Sequence, residues 1–538
     1  MNTTTKPKSK FNLFNLILVV IILFLAWSWF SGGSNTHAPS SGQDSSNTLR
    51  VLAGSELKDI EPLLPQLEKD TGVRLKLDYI GTLEGAEQLA QGANYPLAWF
   101  SHAKYLELLE GARNRVIARE KIALSPVIVG VNTTKAKAWG WDKTPPSWSD
   151  LAAKAAQGEF KFAMTNPTSS NSGFSALIAL IASLSSDPEN FTLTPAQQQT
   201  VQDFFKGQRL TAGSSGWLSE AFVREQAHLD GIINYESVLL QLNQSGQLRE
   251  PLTLIYPREG VVTADYPLLL LDASKRAEYD KVVAWLKSPA VQERLMMDTD
   301  RRPILPSIPL EARFGTQTLI ELPFPGQRSV VDRILTSYLD EQRLPAHAYF
   351  VIDLSGSMQG EGLSALKTAL LNLMGGDTSL TGQFSRFRAR EEISFLPFRH
   401  IAEPVTEFTI ASGDALENSL AAPRQFTQNF VADGGTAIFS ALADAYTQMA
   451  QEQSKHPDRY YSVVLMTDGA NTSGMTLADF KSFFRQLPPE AQAIKTFPIL
   501  FGDADTQAMQ QLADLTGGKV FDGSNNLGAA FKTIRGYQ

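Results

Sequence analysis

The chain has 538 residues, which is too long for one ordinary hydrophobic core and predicts two or three domains. Its formal net charge of −8 argues against a general nucleic-acid binder, because such a protein would present a basic face. The sequence contains no cysteine, which excludes disulfides, thiolate catalysis and zinc–thiolate sites.

An uncharged apolar segment lies near the amino terminus, at residues 11–30. A helix of this length, at about 1.5 Å per residue, spans the roughly 30 Å hydrocarbon core of a bilayer. Three lysines precede the segment and no Lys or Arg follows it until Arg50. The positive-inside rule therefore predicts a single-pass membrane protein with a cytoplasmic tail at 1–10 and its bulk in the periplasm or outside the cell. A flexible Ser/Gly-rich tether is expected at 31–48, and a cleaved signal peptide is the alternative to a retained anchor.

Residues 49–305 alternate short apolar runs with amphipathic stretches. Strands are predicted in "LRVLAGS", "VRLKLDYIG" and "KIALSPVIVGVN", and helices in "ELKDIEPLLPQLEKD", which stops before Gly72, and in "TLEGAEQLAQG". The repetition of strand, helix and strand predicts an α/β domain with a largely parallel sheet.

These segments resemble, in their order, the bacterial extracellular solute-binding proteins of the type II periplasmic group, which includes molybdate-binding proteins. The likeness continues through "FAMTNPTSSNSGFSALIAL", "DGIINYES" and "IYPREGVVTADYPLLLL". It implies two lobes around a cleft, in which helix amino termini and hydroxyl groups favour a small anion. The candidate ligand contacts are Ser55, Thr82, Ser170 and Tyr235. Helix capping explains Ser and Thr residues at such positions equally well.

One segment departs from the pattern of that group. Where its members usually carry an acidic residue and a short strand, this chain has "NYPLAWFSHA", and Trp99 and Phe100 could fill the cleft or pack in the core. A domain that has lost its small ligand is therefore an alternative to one that still binds it. The Pro-rich connector at 306–345 contains one helical stretch, "SVVDRILTSYLDEQR", and predicts two domains held in a defined relation.

Residues 346–538 show a cleaner pattern of strands and helices. The apolar run "HAYFVIDLS" predicts a parallel strand that is covered on both faces. Further strands are predicted in "ISFLPFRH", "YYSVVLMTDG", "AIKTFPILFG" and "KVFDG", with an antiparallel orientation for "PVTEFTI". Helices are predicted in "LSALKTALLNLM", "TAIFSALADAYTQMA", "LADFKSFFRQL", "TQAMQQLADLTGG" and "LGAAFKTIRGY". This alternation predicts a doubly wound, Rossmann-like α/β domain.

Three loops at the carboxyl ends of these predicted strands carry oxygen ligands, in "DLSGS", "DGGT" and "TDG". Parallel sheets bind ligands at this edge, so the side chains of Asp353, Ser355, Ser357, Thr436 and Asp468 can converge. Two carboxylates and three hydroxyls are hard ligands that suit Mg²⁺, and less tightly Mn²⁺ or Ca²⁺. For any one motif alone, a helix cap or a turn is the alternative.

The same five residues resemble the metal-ion-dependent adhesion site of the von Willebrand factor type A domain. The match is D-x-S-x-S from Asp353 to Ser357, Thr436 in "GGT" and Asp468 in "TDG", and the resemblance covers residues 346–538. It implies that a metal ion bridges to a partner protein, whose acidic residue fills a coordination position that the domain leaves open.

The sequence carries no H-E-x-x-H, G-x-S-x-G or Walker motif, so we expect a binding protein rather than an enzyme. The favoured function is a membrane-tethered, divalent-metal-dependent binding or scaffold protein of the bacterial envelope that recognises a protein partner. The alternative is a solute-binding component for the transport or sensing of a small anion, with the type A domain docking a partner. A third hypothesis, a subunit resembling metal chelatases, is disfavoured by the predicted membrane anchor.

Overall fold

The computed structural model describes residues 48–524 and 526–538, and Leu49–Gln538 form one compact unit. The predicted cytoplasmic tail and membrane anchor, and the tether up to residue 47, lie outside the described residues. Within the two described ranges, no helix is both long enough and apolar enough to cross a membrane.

Strands and helices alternate along the described chain. The strands are β1 (Thr48–Gly54), β2 (Arg74–Ile80), β3 (Leu97–Trp99), β4 (Ala118–Glu120), β5 (Ala123–Asn132), β6 (Phe162–Thr165), β7 (Gln208–Ala212), β8 (Gly231–Tyr235), β9 (Leu252–Ile255), β10 (Thr263–Ala264), β11 (Leu268–Leu270), β12 (Arg302–Pro303), β13 (Ala346–Asp353), β14 (Glu392–Phe398), β15 (Thr406–Thr409), β16 (Tyr460–Thr467), β17 (Lys495–Leu500) and β18 (Phe521–Asp522). The α-helices are α1 (Leu64–Thr71), α2 (Thr82–Ala90), α3 (Lys104–Leu108), α4 (Glu110–Arg113), α5 (Thr133–Ala138), α6 (Trp148–Ala156), α7 (Asn171–Leu184), α8 (Pro195–Phe205), α9 (Ser215–Glu225), α10 (Glu236–Gln244), α11 (Arg276–Leu286), α12 (Pro289–Thr299), α13 (Arg328–Ser337), α14 (Glu361–Leu371), α15 (Leu380–Ser385), α16 (Leu416–Ser419), α17 (Ala421–Gln428), α18 (Ile438–Lys455), α19 (Leu477–Phe484), α20 (Pro489–Gln492), α21 (Thr506–Thr516) and α22 (Leu527–Arg535).

The first sheet has five strands in the order β2-β1-β3-β11-β4, and with its helices it forms what we call lobe 1. Strands β1 and β3 are parallel, whereas β11 runs antiparallel to both β3 and β4. The first half of the first predicted helix, Ser55–Leu63, is a 3₁₀ helix that contains Pro62. Helix α1 then ends as predicted, because Gly72 adopts a left-handed conformation with a φ of 71°.

The second sheet has seven strands and forms lobe 2, with the order β10-β5-β8-β6-β7 and with β9 and β12 also paired to β5. Strand β6 is parallel to β7 and β8, but β5 is antiparallel to all four of its neighbours. Both sheets are therefore mixed: β11 in lobe 1 and β5 in lobe 2 run against the strands that they pair with, which the prediction of a largely parallel sheet did not specify. Alternation of apolar residues marks a strand, but it carries no information about the direction of the neighbouring strand.

Trp99 and Phe100 both lie in the core of lobe 1 and have no exposed surface. The indole N–H of Trp99 donates a hydrogen bond of 2.9 Å to the carbonyl oxygen of Tyr266. Of the two roles that the sequence leaves open for these rings, the structure shows core packing.

The third sheet has six strands in the order β15-β14-β13-β16-β17-β18, and only β15 is antiparallel to its neighbour, as predicted. Alternate residues of β13 enter two separate cores. Phe350 and Ile352 pack with side chains of α14 and α22, whereas Tyr349 and Val351 pack with side chains of α18 and α19. Helices therefore cover both faces of the sheet, which explains why β13 is apolar along its length.

Candidate metal centre and solute cleft

The carboxylate of Asp353 ends strand β13 and is completely buried. Its Oδ1 accepts a hydrogen bond of 2.8 Å from the backbone N–H of Ser355, and its Oδ2 accepts one of 2.7 Å from the hydroxyl of Thr467. Residues at the carboxyl ends of β13 and β16 therefore fix the orientation of this carboxylate.

Two serine hydroxyls connect the loop after β13 to Asp468. The Oγ atoms of Ser355 and Ser357 lie 3.0 Å apart, and Ser357 donates a hydrogen bond of 2.7 Å to Oδ1 of Asp468. Ser355 and Asp468 are buried, whereas Ser357 is exposed. The hydrogen-bonded group therefore meets solvent on the side of Ser357.

Thr436 reaches the same edge of the sheet from the loop before α18. The N–H of Gly356 donates a hydrogen bond of 3.0 Å to the carbonyl of Gly434, which joins the two loops, and the φ of 74° at Gly434 favours glycine. The backbone N–H of Thr436 donates to the hydroxyl of Thr472 at 2.9 Å. The structure thus links the other four predicted ligands in one hydrogen-bonded group and places Thr436, which is buried, on an adjoining loop.

Burial raises the pKa of both carboxyl groups, and the nearby charge of Asp468 raises that of Asp353 further. Within the described residues, no Lys or Arg forms a salt bridge with either carboxylate. Two buried carboxylates without a counter-charge, surrounded by hydroxyl oxygens, are a donor set that fits a hard divalent cation such as Mg²⁺. No group of three or more His, Asp or Glu side chains that could hold a metal occurs in the described part of the chain, so this site depends on its hydroxyls.

Thr467 belongs to the candidate metal centre, although the sequence did not predict it there. It precedes the predicted ligand Asp468, and its hydroxyl holds the other predicted carboxylate, that of Asp353. A polar residue at the buried carboxyl end of a mostly apolar strand, beside a predicted ligand, is the signal that could have identified it.

The four predicted ligand contacts of the first domain differ in burial. Ser55 is exposed, whereas Thr82, Ser170 and Tyr235 are buried. Thr82 lies within 3.4 Å of Ser101, oxygen to oxygen. Ser170 occupies the N-cap position of α7 but makes no capping hydrogen bond within the described residues, so capping does not explain its presence there.

A cluster of polar groups that the sequence did not predict surrounds Tyr235. Asn171 donates a hydrogen bond of 3.0 Å to the phenolic oxygen of Tyr235, and the charge of Glu56 in lobe 1 acts on the same phenol across the interface. Burial raises the pKa of Glu56. Oε1 of Glu56 and Oδ1 of Asn171 are both buried without a hydrogen-bond partner in the described residues. The cluster therefore presents two unsatisfied hydrogen-bond acceptors at the interface of the lobes.

Comparison with known families divides the chain in two. Residues 49–297 match the family described as bacterial extracellular solute-binding protein, and residues 348–532 match the von Willebrand factor type A domain. A 135-residue segment is 30% identical to an uncharacterized protein of Synechocystis sp.. That segment is 25% of this chain and spans only 27% of the relative.

The chain is also similar to solved periplasmic binding proteins. One is AfuA from Actinobacillus pleuropneumoniae, with bound fructose-6-phosphate, at 16% identity over 55% of this chain and 99% of that chain, with a TM-score of 0.43. Another is a ferric binding protein from Campylobacter jejuni, at 13% identity over 53% and 96% of the two chains, with a TM-score of 0.42. A third is the sulfate-binding protein SubI from Mycobacterium tuberculosis, at 18% identity over 48% and 88%, with a TM-score of 0.39.

We call residues 49–305 the solute-binding region and residues 346–538 the type A region. The two family matches fall inside these regions, one in each. The chain thus combines a bacterial extracellular solute-binding domain with a von Willebrand factor type A domain, in the order that the sequence predicts.

Proposed function

We propose that this protein is a membrane-tethered binding or scaffold protein of the bacterial envelope that recognises a protein partner through a divalent metal ion. The observation that carries the proposal is the pair of buried, uncompensated carboxylates of Asp353 and Asp468. Such a pair is costly to bury unless a cation accompanies it. Both family matches are to binding domains, which supports a binding role rather than catalysis.

The residues of the site have separate roles in this proposal. Asp353, Ser355, Ser357, Thr436 and Asp468 would hold the ion. Thr467 keeps the Asp353 carboxylate in one orientation, and Ser357 lies at the solvent-facing side, where a partner can approach. The bound ion supplies a positive charge that attracts an acidic side chain of the partner.

The position of the site in the unit supports its use by a partner outside the chain. The carboxylates lie at the carboxyl ends of β13 and β16. The solute-binding region contacts the opposite end of the same sheet, where Lys495 at the start of β17 pairs with Glu225 of lobe 2. The proposed metal centre is therefore not covered by the solute-binding region.

Partner capture from membranes tests the proposal. Full-length protein should retain a partner in Mg²⁺ and lose it in EDTA, and Asp353→Ala should fail to retain it in either condition. Asp414→Ala is the matched control, since Asp414 is an exposed carboxylate of the same region. Equal capture by wild type and Asp353→Ala in Mg²⁺ would show that the metal mechanism is wrong.

A second candidate function is solute binding for transport or sensing, with the type A region docking a partner. The observation that favours it is the pair of unsatisfied acceptors on Glu56 and Asn171. Unsatisfied acceptors on a buried carboxylate and a buried amide favour a ligand that donates hydrogen bonds, such as an amine, rather than the small anion expected from sequence.

Thermal shifts with matched panels of small amines and oxyanions test this candidate. A true ligand at 100 times its Kd should add about 2.7 kcal/mol to the free energy of unfolding, and Glu56→Gln should remove most of that gain for an amine. If oxyanions instead raise the unfolding temperature, and still do so in Glu56→Gln, the ligand is a small anion, as expected from sequence. The absence of any shift would favour a solute-binding region with a purely structural role.

A further inference from the structure

The type A region of the same chain contacts both lobes beside the interface between them. A cavity of about 490 Å³ remains there, and its walls come from both lobes and from the type A region. Lobe 1 contributes Ser55 and Gly81, lobe 2 contributes Asn166 and Ser169, and the type A region contributes residues of α15 and the end of α22. We propose that these type A elements form a lid that holds the two lobes closed, so that a solute enters only when the lid moves.

Lobe 1 contacts the lid through its helix α2 and its core. Oε2 of Glu87 accepts a hydrogen bond of 3.0 Å from the backbone N–H of Thr381, at the start of α15. Phe384 of the same helix packs into the hydrophobic core that the solute-binding region shares with the connector. The ammonium of Lys532 in α22 acts on Glu84 and opposes the rise in pKa that burial causes there. The lid is therefore joined to lobe 1 by apolar and charged contacts.

Lobe 2 contacts the lid through the end of α22 and the residues after it. The rings of Trp217 and Tyr537 meet edge to face, with centroids 4.8 Å apart, and Tyr537 is only 2% exposed. Gly213 permits this approach, since a Cβ there would lie 2.6 Å from the ring of Tyr537. The amide of Asn166 donates a hydrogen bond of 3.4 Å to the carbonyl of Arg535.

The two lid elements are linked to each other as one body. Arg535 in α22 donates from Nε to the carbonyl of Ser385 at 3.0 Å and from Nη2 to the carbonyl of Arg386 at 3.2 Å, at the end of α15. The same guanidinium pairs with the buried carboxylate of Glu391. Since the linked elements contact lobe 1 through α15 and Lys532 and contact lobe 2 through the end of α22, the lobes cannot separate without breaking one set of contacts.

The lobes themselves meet closely beneath the lid. A Cβ added to Gly81 of lobe 1 would lie 3.1 Å from the carbonyl oxygen of Ser169 in lobe 2. Solute exchange through so narrow a gap requires the lobes to part. The consequence is a coupling between the two regions: lid docking and cleft opening exclude each other, and a solute that holds the cleft open would weaken the docking of the type A region.

Thiol labelling tests the lid directly, because the chain has no cysteine of its own. A Ser170→Cys reporter places one thiol at a buried position of the cleft. In the full chain, Tyr537→Ala should remove the contact with Trp217 and speed the reaction of this thiol with a maleimide about tenfold. Tyr537→Phe is the matched control, because it keeps the ring and loses only the hydroxyl that lies 3.3 Å from Lys519.

A second variant displaces the lid from the opposite side. Gly213→Leu changes lobe 2 and leaves the type A region untouched, and it should speed labelling as Tyr537→Ala does. Circular dichroism confirms that each variant is folded, and the response of each to Mg²⁺ reports on the metal centre separately. A labelling rate within about twofold of the control in either folded variant would overturn the lid, since local opening would then not depend on these contacts.

Discussion

The hydroxyl of Thr467 donates a hydrogen bond of 2.7 Å to Oδ2 of Asp353, so the last residue of one strand positions the carboxylate that ends its neighbour. Both residues are completely buried. Thr467 therefore orients a ligand of the proposed metal centre through a hydrogen bond and need not contact the ion itself.

Removal of this support should weaken metal binding. Thr467→Val keeps the shape of the side chain and deletes the donor, so we expect Mg²⁺ affinity to fall about 10–100-fold, as for other residues that hold metal ligands. Isothermal titration calorimetry of the full chain in detergent measures the affinity. Thr467→Ser retains the hydroxyl and should stay close to wild type. Equal affinity for the Val and Ser variants would mean that the hydrogen bond does not orient Asp353.

Removal of the Asp353 carboxylate should abolish stabilisation by Mg²⁺ without lowering the stability of the metal-free protein. In wild type, Mg²⁺ at 100 times its Kd should raise the free energy of unfolding by about 2.7 kcal/mol, and Asp353→Asn should abolish that gain. In EDTA the same variant should be no less stable than wild type, because it removes the repulsion between Asp353 and Asp468. Thermal unfolding with and without Mg²⁺ measures both effects. Asp414→Asn, at an exposed position, should leave the Mg²⁺ gain intact, and a loss of that gain there would contradict the site.

The proposed metal centre could be derived from sequence because its geometry follows from local rules. A wholly apolar run predicts a strand with two covered faces, and β13 is buried along its whole length. The direction of a parallel strand then places Asp353 and Asp468 at one edge of the sheet. Each step depends only on residues close together in the chain and on the general behaviour of parallel sheets.

The solute cleft and the lid could not be derived in the same way. Glu56 and Asn171 occupy positions at helix starts, where polar residues are common for reasons unrelated to a ligand. The contact between Trp217 and Tyr537 joins residues of different domains, and aromatic residues at those positions are equally consistent with separate cores. Such interfaces form between domains that have already folded. The periodicity of apolar residues predicts local secondary structure and contains no information about contacts between domains.

The buried ion cluster at Glu391 should be important for stability. Its carboxylate pairs with Arg343 of the connector and Arg535 of α22, and these cations hold its pKa below the usual range although burial alone would raise it. Glu391→Gln leaves two guanidinium groups without their counter-charge, so we expect a loss of about 3–5 kcal/mol in the free energy of unfolding. Urea unfolding of the full chain measures the loss. Glu417→Gln, which removes an exposed partner of Arg386, should cost less than about 1 kcal/mol, and similar losses in both variants would contradict this assignment.

Acid should destabilise the fold through His102. Burial, together with the charges of Lys104 and Arg119, lowers the pKa of this imidazole from 6.5 to about 3 in the folded chain. Between these two values the unfolded state binds the proton and the folded state does not, so stability is complete above pH 6.5 and falls as the pH drops. The expected loss is about 2 kcal/mol from pH 6.5 to 5, at about 1.4 kcal/mol per pH unit. Urea unfolding at a series of pH values measures how the free energy of unfolding depends on pH.

The control compares two histidines. His102→Gln should remove the loss of about 2 kcal/mol between pH 6.5 and 5, whatever the stability of the variant at neutral pH. His228→Gln, at an exposed position, should leave the pH dependence of stability unchanged. A His102→Gln variant with the full wild-type slope would show that the acid sensitivity arises from other groups.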